Sequence, residues 1–490
     1  MKKSREIILI GLILLLSIPS LNAIVSTNTF SEEAIAHYLA ADRLLRQGEL
    51  ELAQYEVESA VELDTTSVYL WRKLMEFSYL RGDYARSEEA AQEILRIGGN
   101  DTETLESLAT LYLEQGELQV AASTYLRIIS IEPKNVKAYL NLARVYISMD
   151  EQDRAISTLK HCLSIEPKNI VVHLSMGLIY EAQDSKSEAE KVYIEAARLA
   201  PDNSEVAARL GSLYWRQKDL PKARKWLEKA VELDRQDMES LYNLALLAEE
   251  QQEWDGAIEY FGRLLSIMEA ESTTNWDIYI HLGFDYVEKG ELEEAASHLK
   301  RATEIAPDEP YGWYLLGLVE EDQKKYNEAS RSFKKVVELK HDDANAHFHL
   351  GVCLDQLGKT KEAWAEFEHA IRIDEKHAQA LNYLGYSWAE RGINLERAEE
   401  LIKRALLIDA ENPAYIDSMG WVYYQQKKYD QARLLLEKAS KSTADAIIFE
   451  HLGDTYLKLG KRKQAVSMYR KALSLSPDNQ KLKAKIKQAR

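Results

Sequence analysis

Cysteine is nearly absent: Cys162 and Cys353 stand 191 residues apart in a chain of 490. Positive charge is short too, since 62 Lys and Arg against 80 Asp and Glu leave a formal net charge of −18. Such a surface repels phosphates, which argues against nucleic acid and towards basic partners or basic stretches of them. Acidity also keeps an elongated chain soluble. No apolar run beyond residue 23 is long enough to span a bilayer. No Gly-rich phosphate loop, HExxH or GxSxG is present. Carboxylates such as Glu249-Glu250 and Glu399-Glu400 fall where a solvated helix face is the plainer reading. Nothing therefore points to an enzyme, a cofactor or a small-molecule substrate. His341, His347, His349 and Cys353 form the densest cluster of metal-type ligands. His349 and Cys353 share a helix face, but His347 and His349 point to nearly opposite sides and no second helix supplies a third ligand. Ordinary packing and surface roles are expected there, and no metal.

What is present is a period. Thr102 to Asn135 reads as two short helices joined at Gln115-Gly116-Glu117 and stopped by Pro133. Ala121 recurs as Ala155, Ala189, Ala223 and Ala257, Tyr112 as Tyr146, Tyr180 and Tyr214, and Pro133 as Pro167 and Pro201, each step being 34 residues. Leu105, Leu108, Ala109 and Tyr112 make one stripe of the first helix (A), and Ala121, Tyr125 and Ile128 the matching stripe of the second (B). Small residues such as Ala109 and Ala121 sit where two backbones approach closely. Helices this short bury their stripes only against neighbours, so the unit implies an array. Nine Pro, and 27 Tyr against 8 Phe, suit such an array, because a Tyr ring packs between helices while its hydroxyl reaches water. Cys162 falls at a B-helix packing position, and repeats as distant as those of Cys162 and Cys353 do not touch, so no disulfide is expected.

This pattern resembles the tetratricopeptide repeat, and the resemblance runs from residue 34 to 479. It implies an all-α solenoid, a right-handed superhelix of about thirteen helix-turn-helix repeats, and a concave groove where partner peptides or helices bind. Repeats one to seven span 34–271, with Ser87 replacing the usual Ala and Gly98-Gly99-Asn100 replacing the closing Pro in the second. Residues 272–275 are an insertion, read as a longer connection or helix in preference to a hinge between two arms. Repeats eight to thirteen span 276–479, the eleventh with one extra residue in its turn, and 480–490 form a capping helix. In that cap Leu482 and Ile486 cover the last repeat, while Lys481, Lys483, Lys485, Lys487 and Arg490 face water.

Residues 1–23 read as a signal peptide: Lys2, Lys3 and Arg5, then an apolar run from Ile7 to Ile18, then a break before a cleavage site after Ala23. An uncleaved amino-terminal anchor is the alternative, because Leu21 is bulky at its place before the site. Either reading exports the repeats, to the periplasm or a cell-envelope location. Cleavage would take the net charge from −18 to −20. Residues 24–33 read as an unstructured lead-in.

The groove stripe comprises the second, fifth, ninth and twelfth positions of each A helix. In repeats three to six it is mixed and uninformative. Later it grows aromatic: Phe284, Tyr311, Tyr314, Tyr386, Trp421 and Tyr424, with Asn382 beside Tyr386. Exposed aromatics with a polar amide compose a recognition surface. The competing reading packs these rings against the neighbouring repeat's B helix, and the sequence leaves both open. No ninth position carries the Asn typical of family members that clamp chaperone carboxyl termini, so no such clamp is expected.

From Leu381 onward the repeats resemble those of bacterial envelope repeat proteins, one branch of which comprises lipoprotein adaptors for a carboxy-terminal processing protease and its cell-wall hydrolase substrates. The residue directly after Ala23 is Ile24 and not a Cys, so no lipid can be accepted by that route. The expectation is a non-enzymatic scaffold or adaptor that binds other envelope proteins, such as a protease or hydrolase, in its groove. Alternatives are an assembly factor for polysaccharide or outer-membrane export machinery, and a regulatory subunit that activates an envelope hydrolase.

Overall fold

The computed structural model describes residues 31–489; the signal segment, most of the lead-in and Arg490 lie outside the described residues. Within them the chain forms 27 α-helices and no strand: thirteen A/B pairs and a terminal helix. The first helix begins at Glu32, two residues ahead of the expected start, because the Ser31 hydroxyl accepts the Ala34 N–H and caps it.

Local chemistry sets each boundary. Asn135 follows Pro133 and accepts the Ala138 N–H at 2.9 Å, and Asn169 and Asn203 cap their own A helices in the same way. The turn from A to B needs one residue in the left-handed region. Gly116 supplies it in repeat three at φ +79°, and Asp150 takes it in repeat four at +59°.

Within a pair, the two helices approach through a small residue at the eighth A position, except in repeat two, where Met75 stands there and the facing B-helix residue is Ala91. A Cβ on Gly351 would lie 2.6 Å from the Phe367 ring, and one on Gly453 would lie 2.5 Å from Tyr469. Both rings are fully buried, as are the B-helix alanines Ala121, Ala155, Ala189, Ala223 and Ala257. Ser87, the exception in that column, is buried with its hydroxyl donating to the Met75 carbonyl at 2.9 Å. Successive repeats are tied by the A-helix tyrosines. The Tyr112 hydroxyl donates to Glu88, and that of Tyr214 to Glu190, both at 2.7 Å on the preceding B helix.

The chain divides into two compact units between Leu233 and Asp234. The first holds repeats one to six, with a continuous apolar core from Ala34 to Ile179. The second holds repeats seven to thirteen and the terminal helix. Its A helices are Met238–Glu250, Trp276–Glu288, Pro310–Asp322, Ala344–Gln356, Ala378–Glu390, Pro413–Gln425 and Ala446–Lys458. Residues 272–275 lie inside this unit. The B helix before them, Trp254–Ala270, runs 17 residues where the next runs 14. Leu264 from that helix shares one core cluster with Ile278 and Leu282 beyond the insertion.

One expectation for the terminal helix, Gln480–Ala489, is corrected. Lys485 does not face water: its ammonium meets Glu450 and Asp454, each at 2.6 Å. It lies three residues from buried Leu482 and one from buried Ile486, so the helix face that covers repeat thirteen carries it inward.

The close contact in each pair has a measurable consequence. Gly351→Ala forces Phe367 off its site, and the denaturant midpoint of the second unit should fall by the equivalent of roughly 1–3 kcal/mol. A midpoint equal to that of the parent would show that the eighth-position approach is not tight.

Candidate functional site

The aromatic A-helix stripe belongs entirely to the second unit, and its rings fall into different environments. Phe284 is 43% exposed and Tyr311 55% exposed. Tyr314 is half-buried, edge-on to Phe333 of its own B helix and to His349 of the next repeat. Asn382 is only 8% exposed, and its Oδ1 has no hydrogen-bond partner. Tyr386 is half-buried, 6.2 Å from the His451 ring, and burial together with Glu390 and Asp417 raises its hydroxyl pKa. Trp421 lies between two rings: Tyr424 stacks on it at 4.5 Å and His451 at 4.0 Å. Both of its faces are covered, and its Nε1–H has no partner. Phe284 and Tyr311 therefore offer open aromatic surface, whereas Trp421 and Tyr424 form a stacked column with the next A helix.

A second column, at the sixth A position, organises the stripe. His281 stacks on Phe261 at 5.0 Å and its Nδ1 lies 2.8 Å from Glu249 of the preceding A helix. His349 repeats the arrangement with Phe333 at 5.2 Å and Glu321 at 2.9 Å. His451 pairs with Asp417, at 3.0 Å. These histidines stand 68 and 102 residues apart, two and three periods, a spacing legible in the sequence that a metal-ligand search passes over. His347 turns elsewhere, its Nδ1 2.6 Å from Glu366 and its ring stacked on His369. Among the described residues no group of three or more His, Cys, Asp or Glu is placed to hold a metal ion. Both thiols are free and buried, and burial pushes that of Cys353 up to about 12.

Between repeats eight and nine the ionic column is interrupted. Val287 stands where Glu249 and Glu321 stand in repeats seven and nine, and Leu315 where the histidines stand. The result is an open depression of about 250 Å³ lined by Phe284, Val287, Leu315 and Leu318, with Glu321 and His349 at its edge. Of the expected site residues only Phe284 enters it. Val287 and Leu318 stand at stripe positions but are aliphatic, and Leu315 lies off the stripe, so a reading by aromatic residues passes over all three.

One buried acid lies behind the stripe. Asp285 is completely buried, neither of its oxygens has a hydrogen-bond partner, and burial with the charge of Glu249 beside it pushes its pKa up to about 8. For His281, burial pulls down, but the hydrogen bond to and charge of Glu249 outweigh it, so its pKa is raised.

Comparison with known proteins identifies the repeat. Four family models, each described as tetratricopeptide repeat, match residues 112–179, 174–237, 237–308, 282–338, 314–376 and 447–479. The chain is 37% identical over 70 residues to the TPR repeat-containing protein PA4667 of Pseudomonas aeruginosa. That match spans 14% of this chain and 12% of the relative. Among solved structures, the Cut9 and Hcn1 hetero-tetramer of the APC/C is similar with a TM-score of 0.42 and 15% identity, over 94% of this chain and 97% of that one. YrrB, described as a TPR protein with an unusual peptide-binding site, is similar with a TM-score of 0.36 and 21% identity, over 39% of this chain and 96% of that one.

Two outcomes follow from the placements. Trp421→Ala removes the middle of a three-ring stack and should lower the denaturant midpoint by the equivalent of about 2 kcal/mol, whereas Tyr311→Ala should stay within about 0.5 kcal/mol of the parent. Equal effects would show that the stack adds nothing. For Asp285, a pKa raised in the folded state means that the native protein holds a proton the unfolded chain releases near pH 4. Its contribution is present below that pH and is lost as pH rises towards about 8. Asp285→Asn should therefore stabilise the second unit at pH 8 more than at pH 5. A gain independent of pH would contradict the assignment.

Proposed function

We propose, from the premise that the chain is a tetratricopeptide-repeat protein, that it is a non-enzymatic scaffold or adaptor exported to the cell envelope. The fold supports a protein–protein interaction scaffold; the location, the client and the absence of catalysis belong to this proposal. The observation that carries it is the A-helix stripe of the second unit, where Phe284 presents aromatic surface in an apolar depression and Tyr311 is exposed on the next A helix. Aromatic anchors at a concave apolar site with a few polar groups are the composition of binding hot spots. A processing protease or a cell-wall hydrolase is the class of client that the carboxy-terminal resemblance suggests.

The test is a cross-linking pull-down from native cell envelope with the full chain as bait and Phe284→Ala as control. Envelope proteins captured by the parent and lost with the control establish the scaffold and its groove. Clients captured equally by both place binding elsewhere on the solenoid. Export-machinery components among those lost would favour an assembly factor, and no specific client at all would overturn the scaffold reading.

A further inference from the structure

Charge is distributed unevenly over the two helix sets of the second unit. Its seven A helices hold fourteen Asp and Glu against a single Lys or Arg, Lys458. The B helices of the same unit are mixed, with 16 acidic and 18 basic residues. The six A helices of the first unit are balanced at nine of each. Among the helices the excess acid lies in this one set, while the turns between helices are acidic in both units, with 27 Asp and Glu against 14 Lys and Arg. The helices that carry the excess are those that line the apolar depression between repeats eight and nine.

The chain also shows what this surface accepts. Its own terminal helix docks on repeat thirteen by burying Leu482 and Ile486 and placing the Lys485 ammonium 2.6 Å from both Glu450 and Asp454. Those two carboxylates are the fifth and ninth positions of their A helix, the same stripe that carries Tyr314 and Leu318 in repeat nine. A Lys ammonium is thus already held by two stripe carboxylates at the end of the unit, while the apolar residues of the same helix pack into the core of repeat thirteen.

We infer that the groove of the second unit takes a cationic segment of a partner protein, seating one apolar side chain in the depression lined by Phe284, Val287, Leu315 and Leu318. This rests on the scaffold reading and adds the chemistry of the client. The depression is the one junction of repeats seven to ten without a histidine–carboxylate pair, and it is flanked by His281 with Glu249 on one side and His349 with Glu321 on the other. Lys and Arg on either side of the anchor meet the carboxylates of neighbouring A helices, including Glu321 and the exposed Asp322 and Glu288. The anchor supplies burial, and the flanking charge supplies register and encounter rate. An acidic segment is rejected by the same field.

The probe is a fluorescein-labelled helical peptide with a Leu-Leu anchor between Lys residues, titrated into the full chain by fluorescence anisotropy. One control replaces the anchor by Ser-Ser and another replaces every Lys by Glu. The Lys/Leu peptide should bind at least tenfold more tightly than either, and binding should weaken as salt rises from about 0.05 to about 0.5 M. Phe284→Ala and Leu318→Ala should each weaken it about fivefold or more, with helical content unchanged by circular dichroism. Asp322→Lys, which reverses a charge on the wall of the depression and keeps its four apolar residues, should weaken it as well. Equal binding of the Glu peptide overturns the inference, as does binding indifferent to Phe284→Ala and Leu318→Ala. If the pull-down yields clients whose segments cross-linked beside Phe284 are acidic or uncharged, this inference falls while the scaffold stands. If neither peptide nor client binds, both fall.

Discussion

The structure depends on how closely the two helices of each pair approach. In every repeat but the second, a small residue at the eighth A position lets a large B-helix side chain lie directly on the A backbone, as Phe367 does on Gly351 and Tyr469 on Gly453. With that contact buried, the inner face of helix A is fully used, and its remaining positions point either to the next repeat or away from the core. The second, fifth, ninth and twelfth positions are therefore a by-product of packing. The fold must form them, and it does not dictate their chemistry.

How the sequence has filled them differs between the units. In the second, the sixth position contributes histidines that stack on a buried B-helix ring and reach back to a carboxylate of the preceding A helix. Such pairs close a junction, because the ring and its hydrogen-bonded carboxylate fill the space between adjacent A helices. Where Val287 and Leu315 replace them, the junction stays open and apolar. An apolar depression arises here by leaving out one element of a repeating network.

The helical array was legible in the sequence because small residues, tyrosines and prolines recur at a fixed step, each with one physical reason to be there. The unit boundary at Leu233 and Asp234 has no such recurring signal. The site was legible only in outline. Position counting identifies Phe284, Tyr311 and Trp421 as stripe residues, but exposure depends on the next repeat. Trp421 is covered because His451 happens to stand opposite it, and Phe284 is open because Leu315 is shorter than histidine with its partner acid. Lys485 was misplaced for the same reason: its surroundings are set by Glu450 and Asp454, some thirty residues away.

The central claim is that clients bind the A-helix face of the second unit and not its B-helix face. The B face has its own exposed apolar residue, Leu407, which is 86% exposed, so the two faces can be compared directly. A photo-cross-linking amino acid placed at position 311 in one chain and at position 407 in another answers the question in native envelope. The account predicts client cross-links from 311 and none above background from 407. Cross-links from 407 alone would contradict it.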